Sequence, residues 1–251
     1  MTIESQKTQI IVAPDPQALD SQAAAYFERI LAEAVSKNGR ASVALSGGST
    51  PRGMNRLLAQ PPLVERIPWH GIDLFWADDR MVPYSDPASN YGAAREDFIT
   101  RVPIPEKKVH PMPVVDPPMQ GAKLYTEELR QYFGTFRPVF DLVFLGIGND
   151  GHTASLFPDQ ADAHTGPEWV LCVKGGNPDV HRLTLNYPIL NQAADTVVLV
   201  RGKDKADIVH RLLCGEPERY PPQKIRPKNG PMVWMLDQAA ASRLPRELIT
   251  E

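Results

Sequence analysis

Asp141-Leu-Val-Phe-Leu-Gly-Ile-Gly-Asn-Asp-Gly-His-Thr-Ala-Ser-Leu-Phe-Pro158 decides how this chain is read. Its apolar run, Leu142 to Leu145, has the length and composition of a fully buried strand. Gly146 and Gly148 follow, where the backbone must turn tightly or pass close to another group. Asp150 and His152 come next, then a short segment with helical character that is expected to stop at Pro158. A carboxylate and an imidazole therefore stand close together at the carboxyl end of a buried strand, the edge where open α/β sheets bind ligands. Imidazole exchanges protons near neutral pH. A neighbouring carboxylate can fix its tautomer and stabilise its charged form. The plainer reading is a helix start, with Asp150 as the cap and His152 as a polar residue of the first turn.

Working outward, Ala41 to Leu45 is a second buried strand. It runs into Ser46-Gly47-Gly48-Ser49-Thr50-Pro51, with a helix from Pro51 to about Ala59. In a strand, glycine turn and helix start, free amides and the helix dipole favour an anion, and hydroxyls add donors. The stretch has neither the lysine of GxxxxGK[ST] nor the GxGxxG pattern. The alternative is a capped turn with Thr50 as N-cap and Pro51 at the first helical position. Ile72 to Ala77 is a third strand, ending in Asp78-Asp79-Arg80; these charges are costly to bury and are expected to face a cleft or solvent. Arg182 falls on a strand from His181 to Leu185. Thr196 to Val200 precedes Arg201-Gly-Lys-Asp-Lys205 and a helix from Asp204 to Leu213, so cations again arrive at a strand end.

The remaining pattern is regular. Gln9 to Ala13 reads as a strand, and Asp15 caps a helix that starts at Pro16 and closes at Asn38-Gly39. Ser89 or Asn90 caps a helix through Ile99. Gln120 to Phe133 is amphipathic, with Leu124, Tyr125, Leu129 and Tyr132 or Phe133 on one side. Trp169 to Val173 alternates like a strand, and Tyr187 to Gln192 reads as a short helix. Met232 to Leu236 is a last strand, and Gln238 to Ala241 a short tail helix. The 25 prolines concentrate in Val102–Pro118, with a strand near Val109, and in Gly215–Pro231. Strands alternate with helices along the chain. That predicts an α/β fold: a mostly parallel, Rossmann-like sheet with helices on both faces, plus a smaller proline-rich/β subregion, in a single domain over residues 1–251.

The formal net charge of −3 supplies no global field toward nucleic acid or anionic membrane, so a small anionic substrate would need local cations. No apolar run approaches the roughly 18 residues of a membrane span. Met1 to Gln9 is polar and does not read as a signal peptide. Cys172 and Cys214 sit in apolar neighbourhoods without CxxC spacing and are expected to be reduced and buried, as in a cytoplasmic protein. His70, His110, His164, His181 and His210 show no HxxxH or HxH spacing, so no metal site is expected.

SGGSTP, the strand ending ADDR, the DGHTASLFP block, and RLTLNYPILN followed by GKDKA occur in this order. Together they resemble the 6-phosphogluconolactonases, over about Ala13 to Leu236. The resemblance implies a fold shared with glucosamine-6-phosphate deaminases and ribose-5-phosphate isomerases. It implies hydrolysis of 6-phospho-D-glucono-1,5-lactone to 6-phosphogluconate, with no metal or organic cofactor. It puts the general base on His152 and the neighbouring acid on Asp150. Substrate or phosphate contacts fall on Gly47, Gly48, Ser49, Thr50, Asp78, Arg80, Arg182 and Lys205; the family spacing selects Lys205 over Lys203. Backbone amides around Gly148–Gly151 are a candidate for the oxyanion donors. The expected partner is a small phosphorylated sugar lactone, not nucleic acid or membrane, met by a monomer or weak homodimer. The alternatives are a deaminase-type isomerase and a non-catalytic sugar-phosphate-binding protein of the same fold. The deaminases carry a glutamate just before the proline that closes the DGH block, where this chain has Phe157.

Overall fold

The computed structural model describes residues 8–134, 138–215 and 217–249, apart from the side chains of 161–163. The polar N-terminal stretch up to residue 7 lies outside them. The strands are β1 (Thr8–Ala13), β2 (Ala41–Leu45), β3 (Ile72–Trp76), β4 (Asp78–Arg80), β5 (Leu142–Leu145), β6 (Val170–Gly175), β7 (Val180–Leu185), β8 (Thr196–Val200) and β9 (Met232–Asp237). The α-helices are α1 (Pro16–Asn38), α2 (Arg52–Leu58), α3 (Leu63–Arg66), α4 (Asn90–Asp97), α5 (Pro118–Phe133), α6 (Tyr187–Leu190) and α7 (Ala206–Cys214). Six strands form one sheet in the order β1-β9-β8-β5-β2-β3, every pair parallel. The expected α/β class and Rossmann-like sheet are borne out. The smaller subregion is an antiparallel sheet, β4-β7-β6.

The strands β2, β3, β5, β8 and β9 are buried at every position. Continuous apolar runs, rather than alternation, are what a sheet covered on both faces requires. Each fully buried Val, Leu or Phe contributes about 1.5–3 kcal/mol. Asp15 caps α1 by accepting from the Ala18 amide at 2.7 Å, and the helix closes at Gly39. Leu19, Ala23, Phe27 and Leu31 of α1 are fully buried, and Phe27 stacks near Phe144 of β5.

Several expectations change. No helix follows Asp150: Thr153 and Leu156 form an isolated bridge, and Pro158 starts a 3-10 turn, Pro158–His164, instead of ending one. Thr50 does not cap α2, whose cap position is Pro51 with no side-chain hydrogen bond. The segment after Asn90 ends as α-helix at Asp97, with a 3-10 turn at Ile99–Arg101. Gln238 to Ala241 forms turns. Leu124 faces outward on α5, while Tyr125 and Leu129 are buried. Cys214 is exposed and Cys172 half-buried, because the apolar neighbours in sequence lie on other faces of their elements. Among the described residues, no helix is long and apolar enough to cross a membrane.

The loop around Val109 covers the sheet edge at β3. Val109 forms a parallel bridge with Leu74, and the His110 amide donates to the Leu74 carbonyl at 2.8 Å. Covering an edge this way removes a template for unwanted pairing. The His110 ring stacks on Phe75 at 4.2 Å, with Nδ1 2.7 Å from Glu128 and Nε2 3.2 Å from Asp73; Lys108 also donates to Asp73. Burial pushes the imidazole down, but Asp73 and Glu128 outweigh it and raise it to about 9. A raised folded value means stability that is fully present below the unfolded value of about 6.5 and lost as pH rises through about 9. Urea midpoints of the wild type and His110→Gln should therefore differ by about 1–3 kcal/mol below pH 6.5 and converge by pH 9.5. Parallel midpoints across that range would show that the charge on His110 stabilises nothing.

Candidate functional site

β2 and β5 are neighbours, pairing Val43 with Leu142 and Ala44 with Val143. From β2 the chain crosses to β3 on one side; from β5 it proceeds to β8 on the other. Crevices open at the carboxyl ends of strands where such crossovers diverge. Here the crevice is a cleft of about 330 Å³. The turn after β2 contributes Ser46, Gly47, Gly48, Ser49 and Thr50 to it; the turn after β5 contributes Gly146, Ile147, Gly148, His152 and Ala154. Ser46 Oγ donates to the Phe144 carbonyl at 2.9 Å, and Thr153 Oγ1 to the Gly146 carbonyl at 2.8 Å, so the two turns are fastened to the ends of the strands.

The imidazole of His152 borders the cleft and is held by Asp150. Nδ1 lies 2.6 Å from Asp150 Oδ1, and the His152 amide donates to the same oxygen at 3.1 Å. Burial pushes the Asp150 carboxyl up, but the hydrogen bond and charge of His152 outweigh it and keep it below its ordinary value. An ionised carboxylate only accepts, so Nδ1 carries a proton and Nε2 is left to act as the base. The arrangement leaves no room at Gly148: a Cβ there would lie 2.2 Å from Nδ1 and 2.4 Å from Asp150 Oδ1. Phe157 packs against the imidazole at 5.0 Å. The suggested oxyanion amides are already engaged. Gly148 N–H donates to the His152 carbonyl and Gly151 N–H to the Gly148 carbonyl, closing the turn that replaces the expected helix.

The charged end of β3 divides between two tasks. Asp78 borders the cleft, accepting from Ser155 Oγ at 2.7 Å and Asn90 Nδ2 at 3.2 Å. Asp79 contradicts the expectation of a cleft or solvent, being only 3% exposed. It accepts from the amides of Arg80, Asn90 and Tyr91 and from Ser89 Oγ, and so caps α4 from outside the helix. Those donors satisfy a carboxylate that would otherwise be too costly to bury.

Four cations line the cleft: Arg80, Arg182, Arg201 and Lys205. Lys203 is exposed and not among the lining residues. Arg80 Nη1 donates to the Ala88 carbonyl, while its Nε is buried without a partner. Arg182 is 2% exposed; its Nε and Nη2 donate to the carbonyls of Gly175 and Pro178, and it lies 5.7 Å from the Phe157 ring. Burial, then the nearby Arg80, pulls Arg182 below the ordinary arginine value. Every expected site residue except Asp150 lines the cleft, and Asp150 touches it through His152. Sequence reasoning left out Asn90, Ser155 and Arg201. Arg201 lay in the cation-rich stretch noted before α7, but only Lys205 fitted a spacing.

The fold and the cleft define an α/β protein with a cation-lined site at the switch point of a parallel sheet. A family profile described as glucosamine-6-phosphate isomerases/6-phosphogluconolactonase matches residues 14–234. A 6-phosphogluconolactonase of Synechocystis sp. is 37% identical over 94% of this chain and 98% of its own length. One from Streptomyces coelicolor is 34% identical over 97% of both. The solved 6-phosphogluconolactonase from Trypanosoma brucei superposes with a TM-score of 0.85 at 30% identity, covering 96% of this chain and all of its own. The chain belongs to the glucosamine-6-phosphate isomerase/6-phosphogluconolactonase family. A monomeric glucosamine-6-phosphate deaminase, 21% identical with a TM-score of 0.77, shares the fold.

Burial raises Asp79 to about 6, against the pull of its amide donors. For a carboxyl raised on folding, the favourable contribution is full below the unfolded value of about 3.9 and is lost as pH rises through about 6. Asp79→Asn loses an acceptor and should be the less stable protein. Its deficit in urea midpoint should shrink by about 1–3 kcal/mol between pH 4 and pH 7. A deficit that stays constant or grows would contradict this account of Asp79.

Proposed function

We propose that this chain hydrolyses 6-phospho-D-glucono-1,5-lactone to 6-phosphogluconate, as a cytoplasmic, single-domain enzyme in which His152 is the general base. The observation that carries the reading is that the imidazole held by Asp150 lines the same cleft as the glycine turn and Lys205. Near-full-length relatives named 6-phosphogluconolactonase support the choice of substrate.

A sugar phosphate carries about −1.5 to −2 charges near neutral pH. Ser49, Thr50, Lys205 and Arg80 hold that end, each charge-assisted bond contributing about 1.5–3 kcal/mol. The lactone carbonyl then lies toward His152. Nε2 takes a proton from a water molecule as its oxygen bonds to C1 and the carbonyl electrons move to oxygen. The tetrahedral intermediate collapses, the bond from C1 to the ring oxygen breaks, and the imidazolium returns its proton to that oxygen. Asp150 stabilises the imidazolium without taking a proton. Asp78 faces the hydroxyl-bearing part of the sugar as an acceptor, kept ionised and oriented by Ser155 and Asn90.

Phe157 weighs against the deaminase alternative. An aromatic ring packed on His152 cannot move the proton needed to open an amino sugar. Release of ammonia from glucosamine 6-phosphate would reverse that judgement.

His152→Ala is expected to lower kcat for the phosphorylated lactone by about 10²–10⁴-fold, followed as acid release above the spontaneous rate. Retention of more than about a third of wild-type kcat would remove His152 from the chemistry.

A further inference from the structure

Arg201 leaves the end of β8 and reaches across the cleft to the glycine turn. Its Nη2 donates to the Ser49 carbonyl at 3.1 Å, and its Nη1 lies 3.6 Å from Asp20 Oδ2. Asp20 belongs to α1, far from any strand end, yet its carboxylate is pressed onto the backbone just past the turn. A Cβ at Gly53 would lie 1.8 Å from Asp20 Oδ2 and 2.6 Å from Oδ1. Asp20 is 9% exposed, and its Oδ1 is buried without a partner. Burial pushes its carboxyl up, while Arg201, the Met54 amide and Arg56 draw it back toward ionisation.

This puts a poorly compensated carboxylate directly behind the turn that meets the substrate phosphate. Uncorrected, it would repel the phosphate and compete for the same positive backbone groups. Arg201 is the guanidinium in ion-pairing distance of it, and its planar fork can hold a carboxylate and a carbonyl at once.

We propose that Arg201 is a positioning residue for phosphate recognition: it clasps the Ser49 carbonyl and cancels the charge of Asp20, so that the glycine turn meets the phosphate as a net cationic surface. The inference rests on the proposed lactonase reaction and names what makes it selective for a phosphorylated substrate.

The test is a double-mutant cycle on Arg201→Met, Asp20→Asn and the pair, assayed with 6-phosphogluconolactone and unphosphorylated glucono-1,5-lactone. Arg201→Met is expected to lower the ratio of kcat/KM between the two lactones at least ~10-fold, mostly through KM for the phosphorylated one. Adding Asp20→Asn should recover at least ~3-fold of that loss, because it removes the charge that Arg201 no longer cancels. Equal losses on both lactones would overturn the proposal, as would a double variant worse than Arg201→Met. Should Arg201→Met fail to fold, Arg201→Lys keeps the charge without the fork and should fall between wild type and a ~10-fold loss; a wild-type ratio for it would refute the clasp. If the wild type turns over neither lactone, the lactonase reading fails. The inference is then decided by titration with inorganic phosphate: Arg201→Met should raise Kd ~10-fold and the double variant less, and an unchanged Kd would reject it.

Discussion

Two neighbouring strands from which the chain departs in opposite directions impose the constraint on which the rest of this molecule depends. Parallel pairing of β2 with β5 is satisfied along the strands, but beyond Leu45 and Leu145 nothing in the sheet fills the space between the diverging turns. The bond from Ser46 to the Phe144 carbonyl keeps the two turns from drifting apart. One turn therefore brings free hydroxyls and small residues, the other an imidazole, to a common hollow. Neither turn has a site by itself.

The two sides of that hollow are stabilised differently. The His152 side is local: the carboxylate and imidazole are close in sequence, and the turn's amides are spent on closing it. Such a unit holds its geometry with little help from elsewhere, provided position 148 stays without a side chain. The opposite side is assembled from distant segments. Asp78 needs Ser155 and Asn90, Asp79 needs the start of α4, and the Ser49 carbonyl needs Arg201. Substitutions there spread through several elements, whereas those around His152 act on one.

That division explains what could be read without coordinates. The strands were legible because both faces of the sheet are covered, which writes continuous apolar runs into Leu142–Leu145 and Thr196–Val200. Asp150 and His152 were legible because their contact spans one turn. The turn itself was misread as a helix: Asp-Gly before polar residues fits a helix start equally well, and only the engaged amides of Gly148 and Gly151 decide otherwise. Asp79 was misjudged because its amide donors, from α4, come from a segment separated in sequence. Asp20 and the Arg201 contact to Ser49 carry no local signal, since their partners lie far along the chain.

The charge distribution follows the same logic. A chain of net charge −3 cannot draw an anion over a distance by its overall field, so attraction must be built at the cleft. Cations alone would not suffice, because Arg182 spends its guanidinium on the carbonyls of the β6–β7 turn and Arg80 spends part of its own on Ala88. Buried arginines with those partners are held in place more than they are offered to a ligand. The more adaptable charges are Lys205 and Arg201, which are partly exposed and border the cleft next to α7. The cleft therefore divides its cations by burial: the deep ones set its shape, and the shallow ones are free to meet an incoming phosphate.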